Sequence, residues 1–261
     1  MEQFIIKTVT IIGSGNVASH LAKAFYQSDI IIQGIYSRTY NNAVKLANQV
    51  RSKALNTLEE ISDNSDLIIL AVPDIAIKDV ARQLSVKQPF VVHVSGSTPI
   101  EALEPFFKNY GVFYPLQTFT KDRPLDYSKI PVCIEANNQE NTLKLQNLAI
   151  NFTDDVRFTN SHERLVIHLS AVYASNFVNY MNVIASDLLQ RENISRDILF
   201  PLIRETMNKL IENEPRDVQT GPAVRGDHGT LQKHVEVLST DLENQKVYRI
   251  LSEEIQKYFK H

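Results

Sequence analysis

The chain has 261 residues, 43% hydrophobic and 22% charged, which describes a globular protein with a proper core in one large or two medium domains. A formal net charge of −3, with no basic run or basic–aromatic stripe, argues against a nucleic-acid partner. The longest apolar run, residues 67–72, is far too short to span a bilayer, so no membrane partner is expected. Lys7 interrupts the N-terminal apolar stretch, and a glycine turn follows where a cleavage site belongs, so no signal peptide is read there. The single cysteine, Cys133, sits in an apolar strand-like run and reads as a small buried hydrophobe. Both readings point to the reducing cytoplasm.

Residues 9–12 form a short β-branched run, the first strand. Gly13-Ser14-Gly15 follows at once, and residues 16–25 read as a helix. Strand, tight glycine turn and helix are the order a dinucleotide-binding unit needs. Gly13 permits the sharp turn. Gly15, without a Cβ, lets a pyrophosphate approach the backbone, and Ala18 fills the third small position. The free N–H groups of the helix start, at Asn16 and Val17, then face the phosphates. The bland reading is an ordinary strand-to-helix turn that uses glycine for its geometry alone.

Residues 30–36 are the second strand, closed by Ser37-Arg38-Thr39. Residues 41–50 read as a helix with Asn41 as a cap, 54–55 as a short strand and 58–61 as a helical turn. Residues 66–73 are the clearest buried strand, because a continuous apolar run suits a parallel sheet covered on both faces. A helix over 76–84 leads to a strand over 90–94 that ends in Ser95-Gly96-Ser97. A strand over 132–135, a helix over 142–152 and a strand over 156–158 continue the alternation. The fold class is therefore α/β, a doubly wound, mostly parallel sheet over residues 1–159.

From residue 160 to 261 no convincing strand is found, so an all-helical second domain is expected. Ser161 caps a helix running to about residue 190. That helix is apolar on more than one face, which predicts burial on several sides. A second helix covers 197–212, with Pro201 starting it late or kinking it. A loop over 220–229 precedes helical stretches at 231–238 and 243–259.

In NAD-binding folds an acid near the end of the second strand holds the ribose 2′-hydroxyl. Here Ser37, Arg38 and Thr39 stand instead, and a guanidinium flanked by two hydroxyls suits a 2′-phosphate. NADP is therefore the expected cofactor. In such sheets the ligand lies outside the carboxyl ends of the strands. Val72 and Pro73 are placed beneath the ribose and nicotinamide, and Ser95 and Gly96 border the nicotinamide and substrate. Tyr114 to Thr118 forms a further wall. His93 reads equally as a core histidine, Ser95 as a turn residue, and Tyr114 as packing.

At about 100° per residue, His168, Ser175 and Asn179 share a narrow sector of the helix after residue 160, with Asn176 on its shoulder. Polar groups aligned on an otherwise apolar helix need partners or a cavity. His168 is the candidate acid/base, and Asn176 and Asn179 are candidate orienting groups, with Ser95 opposite. The competing reading makes the asparagines caps or bridges between helices. Thr220 to Asp227 is a second polar cluster that brings Arg225 and Asp227 either to the same cleft or into a surface pair. No metal site is expected: His162-Glu163-Arg164-Leu165-Val166 begins like a zinc protease helix but has valine in fifth place. The glycines are followed by no P-loop lysine, and no Gly-x-Ser-x-Gly turn occurs.

Five motifs carry a wider resemblance: Gly13-Ser-Gly-Asn-Val-Ala18, His93-x-Ser-Gly-Ser97, Tyr114-Pro-Leu-Gln-Thr-Phe119, Ala171-Val-Tyr-Ala-Ser-Asn-Phe-Val-Asn179 and Thr220-Gly-Pro-Ala-Val-Arg-Gly-Asp227. Through them nearly the whole chain resembles a group of Rossmann-like NADP oxidoreductases whose C-terminal domain has no known function. It is more distantly similar to pyrroline-5-carboxylate reductase, ketopantoate reductase, the β-hydroxyacid dehydrogenases and the deazaflavin-dependent NADP reductases. The resemblance implies that a helical C-terminal domain dimerises and completes the active site. The β-hydroxyacid dehydrogenases use a lysine and an asparagine four residues apart on that domain's first helix. This helix has no lysine, and four residues beyond His168 stands Val172. The expected activity is hydride transfer between NADP and a small carbonyl, imine or hydroxy compound in an interdomain cleft, by a homodimer. The alternatives are a non-catalytic NADP-binding sensor or assembly protein, and a reductase whose hydride partner is a deazaflavin.

Overall fold

The computed structural model describes residues 5–61, 63–86 and 89–259. Its strands and helices alternate: β1 (Thr8–Ile12), α1 (Asn16–Gln27), β2 (Ile31–Tyr36), α2 (Tyr40–Gln49), β3 (Lys53–Leu55), β4 (Leu67–Leu70), α3 (Ile77–Gln83), β5 (Phe90–His93), β6 (Tyr110–Pro115), β7 (Val132–Ala136), α4 (Gln139–Ala149) and β8 (Val156–Phe158). One eight-stranded sheet results, in the order β3-β2-β1-β4-β5-β6-β7-β8. Every neighbouring pair is parallel except β6 with β7. This is the doubly wound architecture read from the sequence. Its order reverses between β1 and β4, where such sheets open a crevice at the carboxyl ends of the strands.

The period of two along β4 divides the core. Leu67 and Ile69 join the apolar cluster that packs Ala18, Ala22 and Phe25 of α1, while Ile68 and Leu70 join the cluster around Ile77 and Ala81 of α3. All four side chains are fully buried. A strand covered on both faces therefore reads as an unbroken apolar run. Small residues on α1 let the helix lie close to β1, so the glycine turn between them stays tight.

β6 is the strand that the sequence reading passed over. Gly111 stands where an added Cβ would lie 2.6 Å from the Glu135 carbonyl oxygen, so the close pairing with β7 requires glycine there. Gly111 and the terminal Pro115 depress strand propensity, and only the pairing with β5 and β7 makes the segment a strand. The fourth helix starts three residues earlier than expected, because the Asn138 side chain accepts the Asn141 N–H at 2.9 Å and caps it.

Beyond β8 only helices occur among the described residues: α5 (Ser161–Ala171), a π-helical segment (Val172–Phe177), α6 (Val178–Arg191), α7 (Phe200–Glu212), α8 (His228–Val237) and α9 (Leu242–Phe259). The cap of α5 is Asn160 rather than Ser161. Asn160 accepts the Glu163 N–H, and the Glu163 carboxylate accepts the Asn160 N–H, both at 2.9 Å. Pro201 falls in the first turn of α7, where its missing N–H costs nothing, and so it starts that helix.

The chain divides into two compact units, one running to Asn176 and one beginning at Phe177. α5 belongs to the unit that holds the sheet. Arg164, fully buried, ties it there: one guanidinium nitrogen donates to Glu135 on β7, and the other donates to the Thr98 carbonyl at 2.6 Å. Ser161 also donates to Glu135, at 2.9 Å, and accepts the Ile100 N–H at 3.0 Å. The burial on several sides expected for the helix from residue 161 is not found within the chain. Leu165, Leu169 and Tyr180 are 44%, 54% and 51% exposed. These apolar side chains stand at the surface of their own units.

Candidate active site

The turn after β1 is glycine by necessity. Gly13 has a φ of +129°, and a Cβ there would lie 2.0 Å from the Ala71 carbonyl oxygen. Its N–H donates to the Tyr36 carbonyl at 2.8 Å, which locks the turn against the end of β2. At Gly15 an added Cβ would meet nothing within 4 Å. Gly15 is also the N-cap of α1, no side chain caps that helix, and no acid stands in its first turn. The N–H groups of Asn16 and Val17 thus begin a helix dipole that faces open space, which suits a phosphate. Ser14 and Ser37 face each other, with their hydroxyls 2.8 Å apart. Arg38 is exposed, and Thr39 is the N-cap of α2. No carboxylate stands at residues 37–39. Together these residues fit a dinucleotide that carries a 2′-phosphate.

Val72 and Pro73 leave the carboxyl end of β4, and Pro73 caps the short turn Asp74–Ala76. The Ser97 hydroxyl donates to the Asp74 carboxylate at 2.5 Å and ties the end of β5 to that turn. Ser95 is spent on the same geometry: its hydroxyl oxygen accepts the N–H of Ser97 at 3.1 Å and of Thr98 at 2.9 Å. His93 is a core residue, with no exposed surface. Its Nδ1 accepts the Ser95 N–H at 3.2 Å. Burial, helped by the nearby Arg164 charge, holds its pKa down to about 4, so at neutral pH it is the uncharged imidazole and a poor acid.

The next residue, Gly96, carries the decisive contact. A Cβ on Gly96 would lie 2.7 Å from Cγ and Nδ1 of His168, so the imidazole rests directly on the glycine backbone. The Tyr114 hydroxyl stands 3.0 Å from His168 Nδ1. The two rings meet nearly edge-on, with centroids 6.0 Å apart. Burial pushes the Tyr114 hydroxyl up to about 12, so it remains protonated. β5 and β6 are parallel neighbours, so Gly96 and Tyr114 meet at adjacent strand ends. Tyr114 is therefore more than packing. The sequence reading placed Tyr114 at a strand end beside the ligand but took its side chain for packing; the contact with His168 is across 54 residues and leaves no local pattern.

His168 and Tyr114 line a cavity of about 730 Å³ together with Leu116, Phe119, Ser175 and Asn176. Asn176 lies in the π-helical segment. An i→i+5 turn holds roughly one residue more than an α-turn, so residues from there on leave the sectors of an ideal helix. The Ser175 hydroxyl donates to the Ala171 carbonyl at 2.7 Å and stands 3.0 Å from the Asn176 side-chain oxygen. Asn179 is an exposed residue of α6 in the second unit. In the same unit Asp227 caps α8 by accepting the Thr230 N–H at 3.0 Å and the Thr230 hydroxyl at 2.7 Å, and Arg225 is exposed.

Arg164 and Glu135 were not singled out from the sequence. A buried ion pair across 29 residues leaves no local pattern to read.

Two sequence families match parts of the chain. Residues 8–97 match the family described as NADP oxidoreductase, coenzyme F420-dependent, and residues 130–255 match a domain of unknown function (DUF2520). No curated protein matches. Among solved structures, a Bacteroides fragilis protein described as a candidate NADP oxidoreductase is 35% identical. The match covers 98% of this chain and 99% of that one, with a TM-score of 0.90. An imine reductase from Myxococcus stipitatus in complex with NADP+ is 14% identical, over 97% of this chain and 92% of that one, with a TM-score of 0.65. A 1-pyrroline-5-carboxylate reductase from Streptococcus pyogenes is also 14% identical, over 96% and 98%, with a TM-score of 0.65. These last two share the fold.

Proposed function

Because the chain belongs to the Rossmann-type NADP oxidoreductases that carry a C-terminal helical domain of unknown function, we propose that it exchanges hydride between NADP and a small carbonyl, imine or hydroxy compound, with His168 as the proton-transfer group. The observation that carries this reading is the placement of His168, seated on Gly96 and hydrogen-bonded to Tyr114 at the wall of the cavity. Phe119 joins that cavity to the glycine turn, since its carbonyl accepts the Asn16 side-chain N–H at 2.9 Å. When bound, the nicotinamide supplies or accepts the hydride. The chain must then handle one proton: a carbonyl oxygen needs it as hydride arrives, and an imine nitrogen before. Tyr114 engages Nδ1 of His168 and leaves Nε2 for the substrate. Asn176, on the cavity wall, orients the substrate, while Ser95 holds the turn that presents Gly96. Residues 1–159 serve the nucleotide, and 160–261 the substrate and the partner subunit.

The test is consumption of NADPH against a panel of small ketones, aldehydes and cyclic imines. Turnover with any of them supports the reading. Tight nucleotide binding without turnover across the panel favours the non-catalytic NADP-binding sensor or assembly protein. A second reading, a deazaflavin as hydride partner, is favoured by the description of the family matched over residues 8–97. Turnover that requires the reduced deazaflavin supports it.

NADPH is expected to bind more tightly than NADH, because only NADPH offers Arg38 a phosphate. Arg38→Ala should cut that preference about tenfold or more, the worth of a hydrogen bond to a charged group. Calorimetry with both nucleotides checks it, and equal affinities in the parent protein count against the assignment of NADP.

We also expect a homodimer formed through the helical region. Leu165 and Leu169 of α5 and Tyr180 of α6 are about half exposed, Leu202 and Ile211 of α7 are 63% and 82% exposed, and Leu242 of α9 is 63% exposed. Apolar area of that extent marks an interface. Light scattering at micromolar concentration should report about twice the chain mass of 29.7 kDa, and a clean monomer refutes the dimer. No helix among the described residues is long and apolar enough to cross a membrane. Cys133 is buried, which pushes its thiol pKa up and keeps it inert, in keeping with the proposed cytoplasmic location.

A further inference from the structure

We propose that Lys121, on the loop after β6, is a ligand for the pyrophosphate of the dinucleotide; this rests on the nucleotide-binding reading above. The loop is held down by a single stripe of α1. Asn16, His20 and Lys23 recur at i, i+4 and i+7, the spacing of one helix face. Each donates to one of three successive backbone carbonyls: the Asn16 amide to Phe119 at 2.9 Å, His20 Nε2 to Thr120 at 2.8 Å, and the Lys23 ammonium to Lys121 at 3.3 Å. With Nε2 donating to a carbonyl, His20 Nδ1 accepts from the Tyr127 hydroxyl at 3.0 Å. The His20 ring is buried, and it packs against Phe119 with centroids 4.9 Å apart.

Three tied carbonyls and a packed ring fix the loop before any ligand arrives, which removes the ordering cost from binding. The loop so held turns the Lys121 side chain back across the start of α1, where its ammonium donates to the Ser14 carbonyl at 3.5 Å. Ser14 lies between the two glycines of the turn, beside the open space above Gly15. An ammonium has three donors, and the carbonyl takes one.

As a purely structural contact this placement is unfavourable. A cation at a helix N-terminus opposes the helix dipole, which prefers acids there. That helix start has no acid in its first turn and no side-chain cap. An anion lodged against both the ammonium and the helix N–H groups turns two repulsive charges into a binding site. The pyrophosphate is the part of the dinucleotide that a glycine turn and a helix start together receive. Arg38 would read the 2′-phosphate at the other end of the adenosine, so the two cations have separable signatures.

The experiment measures dissociation constants of NADPH and NADH for the full-length protein and its Lys121→Met, Lys121→Gln and Lys121→Arg variants, at low and high salt. Lys121→Met and Lys121→Gln should weaken both nucleotides about tenfold and leave their ratio unchanged. Lys121→Arg should recover most of the loss. The salt dependence of binding should flatten in the two neutral variants, because a screened charge pair has been removed. Unchanged affinity for both nucleotides in the neutral variants, with unaltered thermal melting, overturns the assignment. So does a loss confined to NADPH, which would move Lys121 to the 2′-phosphate. If the parent protein binds neither nucleotide, the nucleotide-binding reading itself fails, whatever the variants do.

Discussion

His168→Ala should lower kcat by about 10²-fold or more, with the affinity for NADPH nearly unchanged, on the first substrate that a carbonyl and imine panel returns. The size follows from the proton. Without a positioned donor, the developing alkoxide or the unprotonated imine must rely on water for it. Nucleotide affinity should hold because the proposed cofactor site, the Gly13–Gly15 turn and Arg38, does not include His168. Tyr114→Phe should cost less, about tenfold, because it removes only the hydroxyl that sits 3.0 Å from Nδ1 and fixes the ring. The Tyr114 hydroxyl, pushed up to about 12 by burial, should add no ionisation to the pH–rate profile below pH 10. If His168→Ala keeps full kcat while Tyr114→Phe loses it, the tyrosine is the donor. His93 is the other rival. Its pKa of about 4 and complete burial leave it neutral and enclosed, so loss of activity in His93→Ala with full activity in His168→Ala would overturn the assignment. Gly96→Ala gives an independent check on the geometry. The new methyl would occupy the place of the ring and should lower kcat without removing any titratable group.

Arg164→Ala should destabilise the protein by about 3–5 kcal/mol, the usual cost of removing one partner of a buried ion pair. The Arg164 side chain is 1% exposed and that of Glu135 14%, so solvent screens the pair little. Its loss would leave the Glu135 carboxylate with the Ser161 hydroxyl but no counter-charge, and the Thr98 carbonyl without the guanidinium donor that reaches it at 2.6 Å. For a chain of this length the melting temperature should fall by roughly 10 °C. The double variant Arg164→Met with Glu135→Leu should recover a large part of the loss, because it replaces the pair by apolar groups. A melting temperature within a degree or two of the parent in Arg164→Ala would show that the pair contributes nothing. Arg164 lies one helical turn before His168, so the single variant should also lower kcat by loosening the seat of the imidazole on Gly96.

What the sequence determines by itself is local. The β-branched run before Gly13, the two glycines, the missing acid at residues 37–39 and the unbroken apolar strand at residues 67–70 each act over a few residues. Turn geometry and strand burial are settled at that range, and from them come the doubly wound sheet and the candidate NADP site. The polar helix face was legible too, but only as an ideal α-helix. The π-helical turn at Val172–Phe177 changes the sector in which Asn176 stands, and no period of 3.6 forecasts it. The tertiary structure decided the rest. Tyr114 meets His168 across 54 residues, Arg164 meets Glu135 across 29, and Asn16 holds the Phe119 carbonyl across 103. β6 is a strand because β5 and β7 pair with it, although glycine and proline weaken its own propensity. Contacts of this kind are chosen by packing and by the need to satisfy buried polar groups. Neither is written in the spacing of neighbouring residues, so the turn that cradles a cofactor could be read along the chain, while the histidine's seat existed only once the sheet and α5 had come together.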